Sequence, residues 1–138
     1  LETIKDQVIP ESYQKALYVI QENERVVKAS KAIGDGDLKT LGKLIYASHN
    51  GLQNQYKVSC EELDFLVEQA KTNPNILGAR MMGGGFGGCT INLISKTETT
   101  SFKAFISEAY KEKFNNACSI YSVKLSNGTH LITNSIEV

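Results

Sequence analysis

The order of hydrophobic patterns along the chain predicts an α+β fold, a four-stranded antiparallel sheet with helices packed on one face. Three observations carry that reading. Three helical patterns follow one another before any strand. Two extended runs then flank a segment with five glycines in the six positions Gly83 to Gly88. One more helical pattern is followed by two strand patterns, split by the turn pair Asn127-Gly128. The resulting order, αααββαββ, contains no internal repeat, low-complexity tract or linker, so residues 1–138 read as a single domain.

The elements follow in chain order. Pro10 suits the first position of a helix, and Tyr13, Leu17, Ile20 and Val27 recur near helical spacing up to Gly34, so the first helix is expected over residues 10–33. "GDGD" makes a turn, and Asp37 is a good N-cap for a second helix with Leu38, Leu41, Ile45, Ser48 and Leu52 on one face, ending near Asn54. Ser59 and Glu62 form an S-x-x-E capping box before Leu63, Leu66, Val67 and Ala70, and "TNPN" stops that third helix. Strands are expected over Ile76 to Met82 and Cys89 to Ser95, the second rich in β-formers. Phe102, Phe105, Ile106, Ala109, Tyr110 and Phe114 line one face of a fourth helix. Cys118 to Leu125 and Thr129 to Thr133 supply the last two strands.

Composition narrows the class. The chain has 41% apolar and 22% charged residues, and 15 basic side chains balance 15 acidic ones, so there is no footprint for nucleic acid or a polybasic membrane surface. No apolar run reaches the ~20 residues of a membrane span, and the N-terminus lacks a signal-peptide core, which points to the cytoplasm. The start at Leu1 reads as a piece of something longer. Cys60, Cys89 and Cys118 are odd in number and widely spaced, so they are expected to be reduced, buried small side chains, neither a disulfide framework nor a zinc site.

The glycines carry the chemistry. Gly83, Gly85 and Gly88 formally satisfy G-x-G-x-x-G, but a dinucleotide fingerprint needs a helix after the loop, and Cys89 to Ser95 reads as a strand. A Walker A loop lacks its Gly-Lys-Ser/Thr here, and the companion motifs of protein kinases are absent. What remains is a strand, glycine loop, strand unit, in which positive φ and missing Cβ atoms let backbone N–H groups approach an anion, phosphate above all. A flexible hairpin or a tightly packed bend answers the same spacing.

The exact residues go further. "RMMGGGFGGCT" resembles the third motif of the galactokinases, members of the GHMP family of small-molecule kinases. "SHNGLQNQYKVSCEELDFLV" is similar to a second segment of that family, matching it at Ser48, His49, Leu52, Tyr56, Val58, Ser59, Cys60, Glu62, Leu63 and Asp64. Arg25-Val26-Val27 resembles a third, upstream. The resemblance covers about residues 20–125. It implies a ferredoxin-like sandwich, the C-terminal domain of a two-domain kinase whose N-terminal catalytic domain is absent from this chain. It further implies ATP and Mg²⁺ as cofactors of the full-length enzyme, and transfer of a phosphoryl group from ATP to galactose. The base and the sugar contacts would lie in the other domain, so no catalytic residue is expected here. N-acetylgalactosamine kinase and a non-catalytic galactokinase-like sensor share the C-terminal pattern and stay open.

Within that frame, Gly83, Gly84, Gly85, Phe86 and Gly87 are the candidate phosphate- and nucleotide-binding residues, with Gly85 expected to pass close to a phosphate and Phe86 to pack, against the neighbouring strand or the partner domain, and fix the loop. Arg80 reads as an ion-pair partner before an anion ligand, and His49 as a hydrogen-bonded structural residue before a catalytic one. Lys57, Glu61, Glu62 and Asp64 read as solvated charge and capping, and no carboxylate or His/Cys cluster has metal-ligand spacing. Met82 stands where the family usually has Thr, Asn54-Gln55 replaces an Asp-Asp pair, and Gly51 replaces a Ser or similar residue.

Overall fold

The computed structural model of the chain describes residues 1–129. After a short 3₁₀ segment, Glu2–Gln7, helix α1 runs over Pro10–Gly34, with Pro10 in its first turn as its fixed φ favours. Helix α2 spans Leu38–Gly51, and Asp37 caps it by accepting the Thr40 N–H at 2.9 Å. The helix does not stop there. It continues as a π-helical turn, Leu52–Tyr56, and leaves through Lys57 in the left-handed region (φ 59°).

Helix α3 covers Glu61–Lys71, strand β1 Ile76–Met82, strand β2 Cys89–Ile94 and, after a 3₁₀ turn at Lys96–Glu98, helix α4 Thr99–Phe114. The expected capping box at α3 does not form. The N-cap is Cys60, and the Ser59 hydroxyl turns inward to Asp64 Oδ1 at 2.5 Å, because Asp64 sits on the buried side of the first turn.

Strands β1 and β2 pair antiparallel, from Ile76 opposite Ile94 to Met82 opposite Cys89, with an irregularity between Ile76 and Gly78. They form a two-stranded sheet among the described residues, in place of the expected four strands. Residues 118–125 have no strand assignment, and the expected partner Thr129–Thr133 lies, from residue 130 on, outside the described residues.

Helix α2 lies against β1 at backbone contact. A Cβ on Gly42 would overlap the Leu77 carbonyl, and one on Gly78 would come 2.7 Å from the Gly42 carbonyl oxygen. At this spacing α2 side chains reach the strand's own polar groups: Tyr46 donates to the Ile76 carbonyl at 3.2 Å, and His49 accepts the Met81 N–H at 3.2 Å. Two apolar clusters complete the core. Val67, Ala70, Ile76, Ala79, Phe102 and Ile106 join α3, β1 and α4, and Tyr18, Leu52, Leu63 and Met81 join α1, the π turn, α3 and β1.

The α1 face differs from its helical reading. Tyr13, Tyr18 and Ala32 are buried, while Ile20 and Val27 are exposed, so a 25-residue helix meets the core only at intervals. The three cysteines are free as expected, but none is buried: Cys89, at the start of β2, is exposed, and Cys60 and Cys118 are half-buried. Burial pushes the Cys60 and Cys118 thiols upward in pKa, away from reactivity.

Candidate functional site

The glycine segment bridges the ends of β1 and β2. Gly83 (φ 84°), Gly85 (φ 87°), Gly87 (φ 131°) and Gly88 (φ 102°) all occupy positive φ, and Phe86 joins them at φ 60°. Gly84, between two left-handed neighbours, stays outside that region. Four consecutive positive φ angles from Gly85 to Gly88 need glycine at most of these positions, and a glycine loop of this kind can bring its N–H groups close to an anion. Among the described residues the amides of Gly83, Gly84, Gly85 and Gly87 donate to no backbone carbonyl, and their Cα positions, Gly85 excepted, face open space.

One point on the chain holds the loop. The Phe86 N–H donates to the Val58 carbonyl at 2.7 Å, and a Cβ on Gly85 would overlap the same carbonyl. The glycine at 85 is therefore demanded by Val58, within this chain. Val58 is presented by the left-handed Lys57, and its own N–H closes on the Leu52 carbonyl at 3.1 Å. The Phe86 ring is not packed against the neighbouring strand of this chain. It is 80% exposed, because the positive φ that lets its amide reach Val58 directs the side chain outward. Phe86 fixes the loop through its backbone.

Arg80, just before the loop, is spent elsewhere. Its Nε donates to the Met81 carbonyl at 2.9 Å and its Nη1 lies 3.3 Å from Glu22 Oε1. Glu22 also accepts the Ser48 hydroxyl and pairs with Arg25, so one half-buried carboxylate of α1 ties together α1, α2 and β1. The ion-pair reading of Arg80 holds, and no cation of β1 is left to meet an anion at the loop.

His49 is 1% exposed. Its Nδ1 accepts the Met81 N–H, so the ring is neutral with its proton on Nε2, and Nε2 stands 3.3 Å from Asp64 Oδ1 without a hydrogen-bond partner in line. Burial lowers the imidazole pKa, Asp64 opposes that shift, and Lys71 adds to it. Asp64 is thus no freely solvated charge. It faces His49 and accepts Ser59, while Glu61 remains at the surface and pairs with Lys113 at 3.1 Å. Sequence spacing hides Asp64, Val58 and Glu22 alike, because each meets its partners across separate elements: Glu22 from α1, and Val58 and Asp64 beyond the left-handed turn at Lys57. The residue identities around Val58 and Asp64 were the one signal available.

These features have relatives. Residues 27–112 match the family described as "GHMP kinases C terminal". The chain belongs to the GHMP kinase family. Its family segment includes α2, α3, both strands and the glycine loop. A galactokinase of Thermotoga petrophila is 43% identical over 119 residues, which is 86% of this chain and 34% of that protein. A galactokinase of Lactobacillus helveticus is 40% identical over the same length, 31% of its own chain. Among solved structures, Lactococcus lactis galactokinase complexed with galactose superposes with a TM-score of 0.75 at 38% identity, covering 78% of this chain and 28% of that one. The L. major mevalonate kinase in complex with R-mevalonate gives 0.64 at 29% identity, covering 87% and 34%. This GHMP chain spans about a third of the length of the galactokinases it matches.

Proposed function

We propose that this chain is the single C-terminal domain of a galactokinase, which transfers the γ-phosphoryl group of ATP to galactose and yields galactose 1-phosphate. The observation that carries it is the 40–43% identity to galactokinases across 86% of the chain. The amides from Gly83 to Gly87, Phe86 excepted as the anchor, support a role at the phosphate end of the cleft, as donors already oriented before the nucleotide arrives. In phosphoryl transfer the sugar oxygen bonds to phosphorus as the bond to the ADP oxygen breaks, and fixed donors stabilise the charge that develops on the moving group.

The base that takes the sugar proton belongs, in this reading, to an N-terminal catalytic domain, the partner of this one. Among the described residues no group of three or more His, Cys, Asp or Glu side chains could hold a metal. A Mg²⁺ ion would be held by ATP and by residues of that partner domain. No helix among the described residues is long and apolar enough to cross a membrane. The galactokinase reading carries with it a cytoplasmic location.

The test uses the whole protein. It should release ADP when given galactose and ATP, and Gly84→Ala should lower kcat/KM for ATP by about tenfold while leaving the KM for galactose within about twofold. Gly84 is the clean probe because a Cβ there meets nothing within 4 Å in this chain. Galactose-independent ATP turnover, or none, defeats the galactokinase reading. Unchanged ATP kinetics in Gly84→Ala defeat the phosphate role of the loop.

A further inference from the structure

His49 closes a circuit around the glycine loop. The loop is entered from Met81, whose N–H is held by His49 Nδ1 at 3.2 Å and whose carbonyl is held by Arg80 Nε at 2.9 Å. It is pinned midway by the Phe86 N–H on the Val58 carbonyl at 2.7 Å. The residue after Val58, Ser59, donates to Asp64 Oδ1 at 2.5 Å, and the same oxygen lies 3.3 Å from His49 Nε2. The path His49, Met81, loop, Phe86, Val58, Ser59, Asp64 therefore returns to His49. Strand entry and loop anchor, which are far apart in sequence, are referred to one another through a single buried imidazole.

A buried ring with one nitrogen used and the other left without a hydrogen bond in line is costly unless its placement matters. A simple apolar side chain would fill the volume between α2, α3 and β1 at less cost. It would leave the Met81 amide, which donates to His49, without that acceptor.

We propose that His49 is a positioning residue for nucleotide binding, a neutral clamp that acts with Asp64 through Met81 and Val58 to hold the loop amides in their anion-facing arrangement. This rests on the reading of the loop as the phosphate site. It assigns His49 no contact with substrate and no proton transfer. Its effect falls on the phosphate side of the reaction and leaves sugar binding alone. Ser59 and Asp64 belong to the same device: Asp64 faces the imidazole from α3 and receives the hydroxyl next to the loop's anchor.

The experiment compares three variants of the whole protein by affinity for ADP, by the kinetics of both substrates and by unfolding in urea. His49→Asn keeps an acceptor at the Nδ1 position for Met81, and His49→Phe removes both polar contacts. In folded His49→Phe the ADP dissociation constant should rise at least about fivefold and kcat/KM for ATP should fall at least about tenfold, with the galactose KM within about twofold. His49→Asn should recover ATP kinetics to within about threefold of the natural protein. If His49→Phe does not fold, Asp64→Asn decides the matter, with an expected loss of about threefold in ADP affinity and a retained fold.

Unchanged ADP affinity in folded His49→Phe, or in Asp64→Asn where His49→Phe does not fold, overturns the clamp. So does a parallel loss for ATP and galactose, which a merely structural histidine would give. If the natural protein binds ADP without phosphorylating galactose, the galactokinase reading fails and the ADP comparison still judges the clamp; no ADP binding at all defeats both.

Discussion

The contact of α2 with β1 and the loop between β1 and β2 are both built on glycine, for opposite reasons. At Gly42 and Gly78 the helix and strand backbones are so close that no Cβ fits, and the missing atom is a missing obstacle to packing. At Gly83, Gly84 and Gly87 a Cβ would meet nothing in this chain within 4 Å. There Gly83 and Gly87 supply positive-φ backbone, and all three leave amides open. Gly85 belongs to the first kind although it lies inside the second region, since its neighbour is the Val58 carbonyl. Glycine density alone therefore does not mark a ligand site; the neighbours of each missing Cβ do.

The comparison breaks most visibly at the helix–strand contact. Gly42→Val must force α2 off β1 and disturb the Tyr46 and His49 contacts with it, and should cost about 3–4 kcal/mol, read as a urea midpoint shift or loss of soluble protein. Gly85→Val combines overlap with Val58 and an unfavourable φ of 87°, and should cost about 2–3 kcal/mol. Here stability and ATP kinetics should fall together. A stable Gly85→Val protein with weakened ATP kinetics alone would show that Val58 yields and that the phosphate is the tighter neighbour.

A smaller loss comes with acid. The unfolded chain's imidazole takes up a proton near pH 6.5, while burial holds the folded His49 pKa below that value, so protons favour the unfolded chain. Its contribution is complete above about pH 6.5 and declines as pH falls towards the lowered native pKa. The groups that act on the ring are Asp64, Glu68 and Lys71, all on α3, and β1 adds the Met81 amide. His49→Asn should flatten the decline in a series of unfolding curves at different pH. The smallest effect is expected at Gly84→Ala, within about 0.5 kcal/mol of the natural stability, because open space and an ordinary φ accept a methyl group. A larger loss there would mean that the loop is closed by something packed on it.

Much of this was legible in one dimension. Asp37 and Pro10 announced helix starts by local chemistry, and the apolar pattern of Leu63, Val67 and Ala70 matched the buried face of α3. The glycine run between two extended segments announced a strand, loop, strand unit and excluded a helix after the loop, and Arg80 was legible as an ion-pair residue. Such features depend on a few neighbouring residues and on periodicity, which a linear pattern preserves.

The rest depended on where distant segments meet. The exposure of Ile20 and Val27, the inward turn of Ser59 towards Asp64, the outward ring of Phe86 and the use of Gly85 against Val58 all follow from α1, the π turn and α3 converging on the end of β1. Spacing carries no trace of them, because His49 and Asp64 lie on separate helices either side of a left-handed turn, and a carbonyl is the same on every residue. Whether a glycine is needed for conformation or for closeness is a property of the atom across from it, and that atom is chosen by the packing of the whole chain.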